Sequence, residues 1–501
     1  MKHFILPIVQ HYWSAALAAA IAFVWIAFYT KHSGIGISPD SVAYLSTANH
    51  IAQNFIFTDY THNSFVNFPL GYPIFLALLN YTVSLPIISL APFTNSCLLA
   101  SVLFVTNHLL IKISIKSGLI KLLLLLLILS SPPLLEIYSM LWSETLFILF
   151  VLLFFCSLNK YGSTTSIKWL LTSALLASLA TEIRYAGVTI LITGIIFILL
   201  KREIGFVKKI FHLLIFGVLG CILPSTNIIY NKLHSGTWAG VRQVATRSFS
   251  NNLVDFTAVL NGWFSLPKAI NIILMSICIC LVLCYCFYLS YKFSRQHSTQ
   301  FYIVILSCFS IVYGLFMLFI ASVSRFETLS SRLISPIYIP LMVVLIYWIA
   351  SFIRSKLGWW KRGIAVFVAI LFGLQAQHHY QLHAAAWEGI GYAGIPGYTE
   401  DQWTNSAMIQ YLKKEYRNYS SPIYSNANDA IYFLTTTQAF PLPHKDLPEE
   451  INLFFKHPSF YLVWFNDGQN NDLINLRFIL QQKKLKCQWK FEDGTIYYFT
   501  N

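Results

Sequence analysis

Residues 71–90 read GYPIFLALLNYTVSLPIISL, an apolar run without charge that is long enough to cross a bilayer. Whether it crosses decides the topology of everything that follows. Apolar runs of about 18 residues or more recur on both sides of it. Spans are placed near 13–29, 95–111, 121–135, 143–158, 168–184, 186–200, 209–230, 268–291, 302–323, 336–353 and 361–378. With the N-terminus in the cytoplasm and strict alternation, the inner loops collect Lys112, Lys116, Lys121, Lys160, Lys168, Lys201, Arg202, Lys208, Lys209, Lys292, Arg295, Arg354, Lys356, Lys361 and Arg362. The outer loops hold fewer basic residues, among them Lys31, Lys232, Arg242, Arg247, Arg325 and Arg332. Counting 71–90 as a span would turn every later basic loop outward, against the positive-inside bias. The run is therefore expected to be a re-entrant or surface-lying helix inside a long first outer segment, 31–94.

Bulk composition agrees with a membrane protein. Of 501 residues, 56% are hydrophobic and 11% charged, against roughly 25% charged in a soluble domain. The net charge of +14 sits mainly in short clusters between apolar runs. It sets topology and is no nucleic-acid footprint. The fold class expected is an α-helical polytopic membrane protein of about eleven transmembrane helices, N-in and C-out, with a small C-terminal α/β domain outside. The membrane part covers 1–379 and the extracytoplasmic domain 380–501. In that domain 422–425 and 460–465 read as strands, 429–434 and 472–484 as helices, and 488–500, around Asp493-Gly494, as a terminal hairpin. Eight of nine cysteines lie in apolar runs and Cys487 stands alone, which supports neither a disulfide framework nor a metal site. His378, His379 and His383 lack a matching carboxylate set, so no metal and no cofactor is expected.

The carboxylates are unevenly placed. Under this topology Glu203 alone faces the cytoplasm, whereas Asp40, Asp59, Glu136, Glu144, Glu182, Asp255 and Glu327 fall outside or at outer helix ends. Acidic residues contribute little to topology, so the bias points to a working outer face. Ser38-Pro39-Asp40 opens a helix, and Asp40 would also suit the dipole of its first turn. Ser143 and Glu144 are accounted for by capping and dipole, with substrate contact as the alternative. Glu182 and Arg184 are expected to pair with each other or in a network.

Asp40 followed by Tyr44 and Ala48, then the Pro69-x-Gly71-Tyr72-Pro73 turn, resembles the first outer loop of the GT-C glycosyltransferases, the group of protein O-mannosyltransferases and lipid A aminoarabinose transferases. Pro132, the SETLF stretch at Ser143, the EIRYAG stretch with Arg184, Tyr185 and Gly187, and SRLISPIY with Arg332 and Pro336 follow in the family's order. The tail beyond 380 matches no such pattern. The resemblance implies an inverting enzyme in which Asp40 is the catalytic base. It would take sugar from a polyprenyl phosphate-linked donor to an unknown glycan, lipid or protein acceptor at the outer face of a bacterial inner membrane. Donor phosphate needs cations in a low-dielectric site. Arg332 and Arg325 are the first candidates and Arg242 and Arg247 the next, with Tyr44, Tyr72, Glu144 and Arg184 positioning substrate. Interfacial anchoring is the alternative for the arginines. A transporter or flippase of lipid-linked glycans, or an O-antigen ligase or polymerase, is the rival function.

Overall fold

The computed structural model describes residues 2–83, 85–240, 242–264, 272–293, 298–325, 328–355, 358–415, 421–466 and 470–500. Glu327 and the start of the expected span at Lys268 lie outside the described residues. Helices α1 (Lys2–Tyr29), α2 (Pro39–Asn54), α3 (Gly71–Thr82) and α4 (Ile87–Lys112) come first. A bent pair, α5 (Gly118–Leu129) and α6 (Pro132–Tyr138), precedes α7 (Glu144–Thr164), α8 (Ile167–Ile183), α9 (Val188–Leu200) and α10 (Phe206–Ser235). Then follow α11 (Phe249–Trp263), α12 (Ile272–Phe293), α13 (Ser298–Val323), α14 (Ser331–Ile334), α15 (Tyr338–Ser355) and α16 (Gly358–Ala393).

The chain is a polytopic helical membrane protein. Among the described residues the expected spans fall on helix, with the one at 121–135 interrupted between α5 and α6. Among the described residues six helices are long and apolar enough to cross a bilayer, or seven with α5–α6 as one span bent by 64°. The expected count of about eleven also needs the shorter apolar helices α9 and α12, and α8 and α16. The bend has a local cause, since Pro132 and Pro133 lack the N–H groups that would continue α5. His383 Nε2 donates to the Ser130 carbonyl at 2.6 Å, and His379 Nδ1 lies 3.1 Å from Ser130 Oγ. These histidines fasten α16 to the break. The 71–90 run is not one helix: α3 has 12 residues, about 18 Å of rise, against about 30 Å of hydrocarbon.

The chain divides into two compact units. The first comprises Met1–Tyr29, Val66–Tyr72 and Leu90–Glu388. In it α13 packs against α7, α9, α12 and α15, while α8 packs against α7 and α10. Buried polar pairs knit these helices, including Ser173 Oγ to Ser157 Oγ at 2.9 Å and Tyr161 with His212 at 2.7 Å. On α10 the i, i+4 row Ile210, Leu214, Val218, Ile222 is exposed, as a lipid-facing stripe should be.

The second unit comprises Thr30–Phe65, Pro73–Ser89 and Gly389–Asn501. Its C-terminal part runs α17 (Asp401–Thr404), α18 (Ala407–Glu415), β1 (Ile423–Ser425), α19 (Asn428–Thr435), β2 (Phe440–Pro441), α20 (Pro448–Lys456), β3 (Ser459–Phe465), α21 (Leu476–Gln482), β4 (Lys484–Lys490) and β5 (Gly494–Thr500). The sheet order is β2-β1-β3-β5-β4. β1 is parallel to β2 and β3, and β5 is antiparallel to β3 and β4. Leu442, Phe454, Phe460, Leu462, Ile474, Ile479 and Phe499 form its core. The helix expected over 472–484 is shorter, because Lys484 already pairs with Thr500 in the β4–β5 ladder. Polarity places a boundary at 379/380, and packing groups Thr30–Phe65 and Pro73–Ser89 with Gly389–Asn501. Ile395 N donates to Ser33 Oγ at 2.9 Å, Thr399 Oγ1 to the Ile35 carbonyl at 3.1 Å and Tyr398 N to the Ile37 carbonyl at 2.8 Å.

Candidate active site

Three of the sequence-derived residues converge in the first unit. Glu144, buried at the start of α7, accepts on Oε1 from Arg332 Nε at 2.6 Å and from Arg184 NH1 at 2.7 Å. The Arg332 guanidinium also lies over the Trp142 ring, 4.1 Å from its centroid. Ser143 does not cap α7 with its side chain. Its hydroxyl instead accepts from Arg184 NH1 at 2.9 Å and points to Glu144 Oε2 at 3.4 Å. The capping expected of Ser143 thus gives way to the ion cluster.

Arg184 and Glu182 do not pair. α8 ends at Ile183 and Arg184 is extended (φ −149°, ψ 135°), which sends its side chain away from Glu182. Glu182 Oε2 accepts from Asn227 Nδ2 at 3.2 Å. Two glycines of the quoted motifs permit close backbone approach here. A Cβ on Gly71 would meet the Glu182 carbonyl oxygen at 2.5 Å, and one on Gly187 would meet Thr181 Cα at 2.5 Å. Only glycine fits either place without movement of backbone.

The remaining arginines differ in their engagement. Arg247 forms a 2.7 Å ion pair with Asp255. Arg325 donates from NH1 to Gln243 Oε1 at 2.7 Å and from its backbone N to the Gln243 carbonyl at 2.8 Å. It thereby holds the 242–247 stretch against the end of α13. Arg242 is exposed, and NH2 donates to the neutral Asn67 carbonyl at 3.1 Å.

Asp40 belongs to the second unit, half-buried in the first turn of α2. The cap of α2 is made by Ser38 and Ser41 in a reciprocal box, so Asp40 is not needed for it. Tyr44 is buried with its ring 6.3 Å from that of Phe65, and Tyr72 is buried at the start of α3. Asp59 closes a local turn, its Oδ1 accepting from Thr61 N at 2.8 Å and Thr61 Oγ1 at 2.6 Å.

Solved structures place this architecture. The chain matches the crystal structure of ArnT from Cupriavidus metallidurans bound to undecaprenyl phosphate, with a TM-score of 0.59 at 11% identity. That match covers 96% of this chain and 97% of ArnT. The fold is that of ArnT. The apo form of ArnT matches equally, with a TM-score of 0.59, 10% identity and the same coverage of both chains. By sequence, no family model and no curated protein matches. At 96% coverage the match extends into the C-terminal α/β residues that the sequence motifs left unassigned.

Sequence reasoning missed Trp142, Gln243, Tyr398 and Asp429. Only the stack with Arg332 sets Trp142 apart from the other tryptophans. Nothing in the spacing around Gln243, Tyr398 or Asp429 marks those three.

Proposed function

We propose that this chain is an inverting membrane glycosyltransferase that moves a sugar from a polyprenyl phosphate to an acceptor hydroxyl, with Asp40 as general base. The observation that carries this reading is the match to ArnT along nearly the full length of both chains, ArnT having been crystallised with undecaprenyl phosphate. Asp40 would take the proton of the acceptor hydroxyl as that oxygen attacks the anomeric carbon. The bond from that carbon to the phosphate oxygen breaks, and polyprenyl phosphate leaves with the electron pair. The basic-loop asymmetry supports a bacterial inner-membrane protein with its N-terminus in the cytoplasm and its C-terminal domain outside. The carboxylate bias supports an outer working face. An outer site also fits a lipid-linked donor, since the acceptor there cannot be reached by a cytoplasmic nucleotide sugar.

The engagement of the arginines reorders the donor-phosphate candidates. Arg332 and Arg184 share Glu144, and Arg247 is paired with Asp255. Arg242 binds a neutral carbonyl and is exposed, so it leads the set for contact with phosphate, with Arg325 holding its loop. A charge-assisted hydrogen bond contributes about 1.5–3 kcal/mol. Arg242→Gln is expected to raise the KM for the lipid-linked donor by about ten- to hundredfold and to leave thermal stability near wild type. Arg242→Lys should recover part of this loss, since a point charge replaces the fork imperfectly. An unchanged donor KM in Arg242→Gln removes this residue from the donor site.

A further inference from the structure

Asp429 lies buried in the first turn of α19, and its Oδ2 accepts from the Tyr398 hydroxyl at 2.8 Å. Nothing in the mechanism above uses either residue. α19 packs against α2, whose first turn carries Asp40. Tyr398 reaches the same place by its backbone, donating from N to the Ile37 carbonyl just ahead of Asp40 at 2.8 Å. The neighbouring Asn428 donates from Nδ2 to the Tyr60 hydroxyl at 3.1 Å, which binds the loop after α2 to the start of α19.

Burial pushes the Asp429 carboxyl above the usual carboxylate range, the hydrogen bond from Tyr398 opposes this, and the charge of Asp40 adds to the rise. The titratable groups that face this place are Tyr398, Asp40 and Tyr60, with Asp59 acting on Tyr60. A buried carboxyl beside a second one is a poor packing residue. We propose that Asp429 is a positioning residue for Asp40, sharing one charge-coupled site with it and held there by Tyr398. The C-terminal residues are then part of the reaction site. The inference rests on the reading of Asp40 as base, and its test separates the two.

The full-length protein in proteoliposomes is treated with a hydrophobic carbodiimide, which adds to protonated carboxyls, over a pH series. Peptide mapping by mass spectrometry reads the modified fraction at Asp429. In Asp40→Asn the labelling midpoint should move to lower pH by about one unit, because a like charge has been removed. Asp59→Asn should leave it in place, and Tyr398→Phe should raise it. An unmoved midpoint in Asp40→Asn, or no labelling of Asp429 at any pH, overturns the coupling. In transfer assays Asp429→Asn should lower kcat by about ten- to hundredfold, keep the donor KM, and leave one ionisation in the pH profile where wild type shows two. A variant with less folded protein and an unchanged two-step profile would make Asp429 structural only. The labelling arm needs no sugar transfer, so a shifted midpoint with an active Asp40→Asn would preserve the coupling and sink the base.

Discussion

Asp40→Asn is expected to lower sugar transfer by about two to four orders of magnitude with little loss of folded protein. The exchange keeps size and hydrogen-bonding capacity and removes the proton acceptor. Its structural cost is small for a local reason: Ser38 and Ser41 make the cap of α2. The first turn gives up one favourable charge, about 0.3–1 kcal/mol. Asp59→Asn is the matched control, because an Asn oxygen can still accept from Thr61 N and Thr61 Oγ1. Initial rates in membranes supplied with donor, at equal protein abundance, decide the matter. A near wild-type rate in Asp40→Asn would end its assignment as base.

Glu144→Gln is expected to carry the largest stability loss, about 3–5 kcal/mol. The carboxylate is buried and balances two guanidiniums through one oxygen. Neutralising it leaves Arg184 and Arg332 with like charges close together and no counterion from Glu144. Such a loss appears as a fall in the thermal midpoint in detergent, or as loss of folded protein on expression. Arg332→Lys keeps the charge but gives up the Nε bond and the planar stack on Trp142, so a smaller loss is expected. A wild-type midpoint in Glu144→Gln would show that the cluster does not hold the helix ends together.

The membrane part was legible because each span needs only an apolar run of sufficient length, and backbone hydrogen bonding inside the bilayer then dictates helix. The motif residues Gly71, Ser143, Glu144, Arg184, Gly187 and Arg332 were legible as a set, and the structure places them at adjoining helix ends. Their individual roles were not. Whether Arg184 meets Glu182 or Glu144 turns on one extended residue at the end of α8, and no spacing in the sequence encodes it. Likewise no spacing in the sequence shows that Arg332 meets Glu144. Strands and helices of the α/β part were readable in outline from alternation and from Asp493-Gly494. The grouping of residues 394–399 with the segment before Asp40 rests on long-range hydrogen bonds through Ser33, Ile35 and Ile37. Polarity along the chain carries no trace of them.

The central claim is that the chain consumes a polyprenyl phosphate-linked sugar. Mass spectrometry of lipid-linked sugars and of outer-surface glycans, in cells with and without the protein, tests it most directly. Loss of the protein should remove one glycan modification outside and raise the pool of one polyprenyl phosphate-linked sugar, and Asp40→Asn should reproduce both changes. A transporter of lipid-linked glycans, by contrast, would be restored by Asp40→Asn to wild-type glycans. That result, or unchanged glycans and donor pools in the absence of the protein, would contradict the account.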